Sequence, residues 1–173
     1  MKKSLITLIA LLFAVTTFAQ ESEVRIPSGY QGFLEQGTMY QFYDGGHTMI
    51  NLSTTHGFYF NGHVFVGIGV GVDFNNDYAI VPFYSAIHYV FNNQKNVSPV
   101  ARLRVGSFLG DGMGAYADLG FGVRFASKRD FAVSIMLNGT YYGNMTKEYY
   151  SYEQQTNTTF NPSGVSLRVG IEW

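Results

Sequence analysis

The sequence contains no cysteine among its 173 residues. This absence excludes disulfide bonds, catalysis by a thiol, and cysteine-based zinc or iron–sulfur sites. It also excludes a lipoprotein anchor, which requires a cysteine directly after the leader sequence. Charged residues are scarce as well, at 13% of the chain, whereas proteins average about a quarter. The formal net charge of −1 leaves no basic surplus, so no nucleic-acid partner is predicted.

Long apolar runs are confined to the N-terminus. Two lysines precede the apolar run Leu5–Val15, and after it Thr17 and Ala19 place small residues at the two positions that a signal peptidase reads. This order predicts a secretory signal peptide over residues 1–19, cleaved near Ala19, followed by a single domain over 20–173. The run is shorter than the roughly 20 apolar residues that a membrane-spanning helix needs. We therefore expect an exported chain that can cross a membrane only with strands.

Glycine and aromatic residues are plentiful, with 20 Gly, 13 Tyr and 15 Phe. This composition is unlike that of disordered chains and favours strands over helices. Apolar and polar residues also alternate along much of the chain, which indicates strands with one apolar and one polar face. The clearest alternation covers Val64–Phe74, Ala115–Phe125, Phe131–Leu137 and Val165–Trp173, and weaker runs cover about 30–43, 48–60, 79–91 and 99–109. Turn-forming clusters of Gly, Asn and Asp separate these runs, so the pattern predicts eight strands.

The composition of the two strand faces indicates which face points outward. The apolar face is bulky and continuous, whereas the other face carries mostly glycine, serine and isolated charges, as at Gly67, Gly69 and Gly71. Eight apolar faces turned inward would overfill a small barrel, so the pattern favours lipid outside and polar side chains in the lumen. The predicted fold is all-β, an antiparallel up-and-down transmembrane β-barrel of eight strands. A soluble exported sandwich, with the apolar faces in an ordinary core, is the alternative.

The final predicted strand, Val165–Trp173, alternates strictly and ends on an aromatic residue. Together with the leader and the other alternating segments, it resembles the small eight-stranded outer-membrane β-barrel proteins of diderm bacteria, of the OmpA/OmpX class. The resemblance implies a location in the outer membrane and contact with its lipid bilayer. It also implies that Trp173 is the signal read by the barrel-assembly machinery during insertion. It implies no particular activity, because a fold can carry many functions.

Charges of both signs collect on the predicted lumen face. They are Glu35, Asp73, Asp118 and Glu172, together with Arg102, Arg104, Arg124 and Arg168. In the opposite register, arginines near the membrane midplane would cost about 2–4 kcal/mol each. The charges could form a zone that selects a passing ion or ligand, or a salt-bridge network that fills the lumen. Because eight strands leave little open lumen, we expect the structural network.

Enzymatic function has weak support in the sequence. No His-x-Ser pair occurs, and Ser85 and His88 are three residues apart, so they point to opposite faces of a strand. A catalytic site at the rim would have to use Asp44, His47, Asp77 and Asp111. Acidic residues are ordinary in turns. We therefore predict no catalytic residues, no cofactor and no metal site.

The longest connection between predicted strands, residues 143–164, is rich in tyrosine. The candidate contact residues in and beside this loop are Tyr142, Tyr149, Tyr150 and Tyr152. Tyrosine supplies rigid amphipathic contact area, so we predict a structural or surface-interaction role through this loop. The alternative is a narrow channel or a conduit for a small hydrophobic ligand, and it requires an open lumen.

Overall fold

Eight antiparallel strands close into a barrel in the computed structural model of this chain. The structure describes residues 28–42, 46–76, 78–110, 112–128, 131–151 and 154–173. The predicted signal peptide and the carboxylates of Asp44, Asp77 and Asp111 lie outside these ranges. Within them, no helix is long and apolar enough to span a membrane.

Ten strands follow one another along the described chain. They are β1 (Gly29–Gln41), β2 (His47–Phe60), β3 (Val64–Phe74), β4 (Ala79–Val90), β5 (Val97–Gly110), β6 (Gly112–Lys128), β7 (Phe131–Gly143), β8 (Met145–Ser151), β9 (Gln154–Phe160) and β10 (Ser163–Glu172). Around the barrel, the order is β1-β10-β7-β6-β5-β4-β3-β2, whereas β8 and β9 form a separate two-stranded sheet. The predicted fold, an eight-stranded antiparallel up-and-down barrel, is therefore confirmed.

The β8–β9 hairpin is the main departure from the strand prediction. It lies inside the connection 143–164, in which no strands were predicted. Strand β9 reads Gln-Gln-Thr-Asn-Thr-Thr-Phe, so it shows no alternation of apolar and polar residues. Alternation reveals a strand only where one face is apolar, and this hairpin lacks such a face in its sequence.

Pairing between β1 and β10 closes the barrel. The register runs from Phe33 opposite Glu172 to Gln41 opposite Gly164. Next to the first of these pairs, the backbone N–H of Gly32 donates to the Trp173 carbonyl at 2.9 Å, and the Trp173 N–H donates to the Gly32 carbonyl at 3.1 Å. Closure leaves the eight barrel strands without an unpaired edge.

The two ends of the barrel differ. At the end that we call the hairpin end, the β8–β9 hairpin continues from β7 and β10. At the opposite end, the turn end, residues 61–63 join β2 to β3, residues 91–96 join β4 to β5, and the chain finishes at Trp173.

Apolar side chains cover the exterior of the barrel. On β10, Val165, Leu167, Val169 and Ile171 are 39–57% exposed, and the residues between them are buried. Most exposed aromatic residues in the described chain, all but Phe83 and Phe121, lie near the turn end (Tyr30, Phe58, Phe60, Tyr89, Phe91, Phe131 and Trp173) or near the hairpin end (Tyr40, Phe42, Phe74 and Tyr141). Two aromatic belts around an apolar band are typical of barrels that span a bilayer.

The lumen is filled by three layers of side chains. A cluster that we call the hairpin-end plug contains Met39, Met49, Ile80, Tyr84, Ala86, Phe108, Tyr116, Tyr142 and Met145. A second cluster, the turn-end plug, contains Phe33, Tyr59, Phe65, Val90, Val100 and Met136. The charged side chains described next lie between and beside these two plugs.

Candidate functional site

The centre of the lumen is crossed by an ion-pair cluster around Glu35. The Glu35 carboxylate forms ion pairs with the guanidinium groups of both Arg102 and Arg104. Strand β1, which carries Glu35, lies four strands from β5 in either direction around the barrel, so these ion pairs span the lumen. Arg102 also donates to the Asn138 side-chain oxygen at 2.7 Å, and the Arg104 guanidinium lies 4.7 Å from the centre of the Tyr84 ring.

A second ion pair joins β10 to β6. Arg168 Nη2 lies 3.0 Å from Asp118 Oδ2, which also accepts a hydrogen bond of 2.9 Å from Thr140 Oγ1. Arg102 Nε is 4.0 Å from the other Asp118 oxygen, so this pair connects to the Glu35 cluster. The result is one continuous network of three guanidinium groups and two carboxylates.

Two further acidic groups have separate partners. Glu172 accepts two hydrogen bonds from Arg124, at 2.7 and 2.9 Å, in the side-by-side geometry that makes such pairs strong. Asp73 accepts hydrogen bonds from the neutral donors Asn51, at 2.5 Å, and Tyr142.

The structure places all eight predicted lumen charges inside the barrel, and none is more than 4% exposed. Their neutral partners Asn51, Asn138 and Thr140 were not singled out from the sequence. A signal for them was present, because each lies on the lumen face of its strand, β2 or β7. Residue spacing gives the face, but it does not show which strands meet across the lumen.

Tyr142 is not a surface contact residue, and that part of the prediction was wrong. Its side chain is fully buried in the hairpin-end plug, where its ring contacts those of Phe108 and Tyr116 at centroid distances of 5.4 and 5.5 Å. Strand β7 continues to Gly143, so its alternation directs Tyr142 into the lumen and Tyr141 to the exterior.

The other tyrosine candidates belong to the hairpin. The backbones of Tyr149 and Tyr150 lie on β8, opposite Thr156 and Gln155 of β9. Tyr152 lies outside the described residues. The predicted contact loop is thus, in its described part, an extended hairpin beyond the barrel.

Trp173 lies on the exterior in a socket formed by β1 and β2. A Cβ atom added at Gly32 would come within 2.8 Å of the indole, so only glycine leaves room for it. The His56 ring meets the indole edge-on at a centroid distance of 6.2 Å, and the Tyr30 ring lies nearly parallel to the His56 ring at 6.0 Å. Trp173, which follows β10, therefore packs across β1 against β2 on the exterior of the barrel.

We expect Gly32→Ala to displace the indole and to destabilise the barrel by about 1 kcal/mol, the low end of the cost of overpacking, because Trp173 is 44% exposed and can move. Trp173 is the only tryptophan, so its fluorescence reports the displacement directly. Gly139→Ala is the matched control, because a Cβ there has no atom within 4 Å. Equal emission spectra and equal unfolding midpoints for the two variants would contradict the socket.

Potential catalytic groups do not meet in the described residues. His88 is buried in the lumen whereas Ser85 is exposed on the exterior, and Ser53 and His56 diverge in the same way. Of the rim residues considered, only His47 is described. No group of three or more potential metal ligands occurs in the described part of the chain.

Solved structures with a similar fold include two eight-stranded barrels. The crystal structure of neisserial surface protein A has a TM-score of 0.66 and 16% identity, over 84% of this chain and 96% of that chain. The N-terminal β-barrel domain of Pseudomonas aeruginosa OprF has a TM-score of 0.51 and 12% identity, over 85% of this chain and 100% of that chain. No protein-family model matches the sequence, and no curated protein is significantly similar to it. The chain thus has the fold of the small OmpA/OmpX-like barrels.

Proposed function

We propose that this protein is an exported outer-membrane β-barrel of a diderm bacterium, with a closed lumen and a structural or surface-interaction role. In this proposal, residues 1–19 direct export, Trp173 is the assembly signal, and the bilayer contacts the apolar exterior. The turn end faces the periplasm, and the β8–β9 hairpin extends outside the cell as the contact surface. The chain carries out no catalysis.

The observation that supports a closed lumen is the layered filling of the barrel. Buried ion pairs occupy the middle, and an apolar plug lies towards each end. The cavity lined by Tyr59, His88, Arg124 and Glu172, among others, has room for about one water molecule. A hydrated ion that crosses the barrel would have to displace both plugs and separate charges that are paired in a medium of low dielectric constant.

We expect the purified protein to give no single-channel conductance in a planar lipid bilayer. Arg102→Ala is expected to leave the conductance at zero, because the plugs remain in place. A large open porin in the same bilayer is the positive control. Discrete conductance steps that change in the Arg102→Ala variant would instead support the narrow-channel alternative.

The location is tested by cell fractionation and by gel mobility with and without boiling in detergent. We expect the protein in the membrane fraction, with a mobility that changes on heating. A soluble protein with unchanged mobility would contradict both the location and the lipid-facing exterior.

A further inference from the structure

Polar side chains on the barrel exterior are concentrated on two adjacent strands. Strand β1 exposes Gln36 and Thr38, and β2 exposes Thr48 and His56 and half-buries Thr54. On the described exterior of the other six barrel strands, serine is the only polar residue type apart from the tyrosine and tryptophan of the aromatic belts. One side of the barrel therefore differs chemically from the rest.

Gln36 lies deep in the apolar band. It is six residues from Tyr30 and four from Tyr40, the two belt residues of its strand. Its partners in the neighbouring strands are Leu52 and Val169, both of which are exposed and apolar. Under the proposed function, this position is surrounded by lipid chains, which offer no hydrogen-bond partner.

The polar groups around His56 are satisfied within the chain. The Tyr30 hydroxyl lies 2.6 Å from His56 Nδ1, and Thr54 Oγ1 lies 2.9 Å from His56 Nε2. Thr54 Oγ1 also donates to the Phe33 carbonyl at 3.1 Å. No hydrogen bond joins the Gln36 carboxamide to another described residue, so its two donor hydrogens and its acceptor oxygen have no partner within the described part of the chain.

We propose that two copies of this chain associate within the membrane through the exterior of β1 and β2, with their Gln36 side chains hydrogen-bonded to each other. This proposal rests on the proposed outer-membrane location. A carboxamide is both donor and acceptor, so two of them related by a two-fold axis can each donate to the other. This self-complementarity favours a second copy over an unlike partner. Hydrogen bonding and packing are the forces that select partners in lipid, where apolar contact gives no net drive.

Cross-linking can test the association because the native chain has no cysteine. Thr38→Cys introduces a thiol two residues from Gln36 on the same exterior face and leaves Gln36 intact. Leu103→Cys is the matched control, since Leu103 is an exposed residue near the middle of β5, on the opposite side of the barrel. With a short bismaleimide applied to membranes that contain the full chain, we expect about tenfold more covalent dimer from Thr38→Cys than from Leu103→Cys.

A second variant isolates the role of the carboxamide. Adding Gln36→Leu to Thr38→Cys is expected to lower the dimer yield roughly tenfold. Leucine suits a lipid-facing position, so the barrel should still show a heat-dependent gel mobility.

The outcomes separate the dimer from the proposed location. A folded barrel in the membrane fraction that cross-links equally poorly at both positions would overturn the dimer and leave the proposed function standing. So would cross-linking at Thr38→Cys only to an unlike protein, or a dimer yield unaffected by Gln36→Leu. Recovery of the chain from the soluble fraction would overturn the proposed function together with the dimer.

Discussion

Glu35→Ala is expected to destabilise the folded barrel by about 3–5 kcal/mol, the loss typical of removing one partner from a buried ion-pair cluster. The variant leaves Arg102 and Arg104 in the lumen without the carboxylate that pairs with both of them. Asp118 is 4.0 Å from Arg102 and is already paired with Arg168, so it does not replace the lost charge. Two neighbouring positive charges on β5 are then buried without a paired carboxylate.

The measurement is equilibrium unfolding in urea of the barrel inserted in lipid vesicles, followed by gel mobility without boiling. The control is a triple variant, Glu35→Leu with Arg102→Leu and Arg104→Leu, which removes the whole cluster. Replacing a buried ionic cluster by apolar residues of similar size is often neutral, so the triple variant should recover most of the stability. A loss below about 1 kcal/mol for Glu35→Ala would show that water reaches the arginines and would argue for an open lumen.

Tyr142→Ala is expected to cost about 3–5 kcal/mol, because it empties part of the hairpin-end plug and removes a hydrogen-bond donor to Asp73. The matched control is the adjacent residue, since Tyr141 is 44% exposed on the exterior. Tyr141→Ala should cost about 1 kcal/mol or less, as is usual for exposed positions. The same urea titration in vesicles compares the two variants.

Tyr142→Phe separates the contribution of ring packing from that of the hydrogen bond to Asp73. It keeps the ring contacts with Phe108 and Tyr116 but removes the hydroxyl, so we expect a loss of about 1–3 kcal/mol from the undersatisfied Asp73 carboxylate. Equal losses of stability for Tyr141→Ala and Tyr142→Ala would contradict the burial of Tyr142 in the lumen.

The barrel could be predicted from the sequence because apolar and polar residues alternate within each barrel strand. Strand β10 alternates Val165, Leu167, Val169 and Ile171 with small or charged residues, and no other strand is needed to interpret it. The hairpin β8–β9 lacks that evidence, since polar residues follow one another along β9. Prediction from sequence therefore succeeds where one face of a strand is continuously apolar, as on β10, and fails where neither face is, as on β9.

The site was only partly predictable. Alternation alone assigns Glu35 and Arg102 to the lumen, but their pairing depends on β1 and β5 lying opposite each other, which follows from closure of the barrel. Tyr142 could have been assigned correctly by extending the alternation of β7 past Leu137, where the clear alternation of apolar and polar residues ends. Gln36 was also visible as a polar residue on the apolar face of its strand.

The strict inside–outside alternation also determines which changes of length this protein can accept during evolution. A single residue inserted in the middle of β10 would turn Arg168 towards the lipid and Leu167 into the lumen for part of the strand. The pairing register of β10 with β1 and its register with β7 would then both have to change. Insertions in the hairpin beyond Met145 disturb no ladder of the barrel. We therefore expect lineages of this protein to vary in length at the hairpin end while the eight barrel strands keep their lengths.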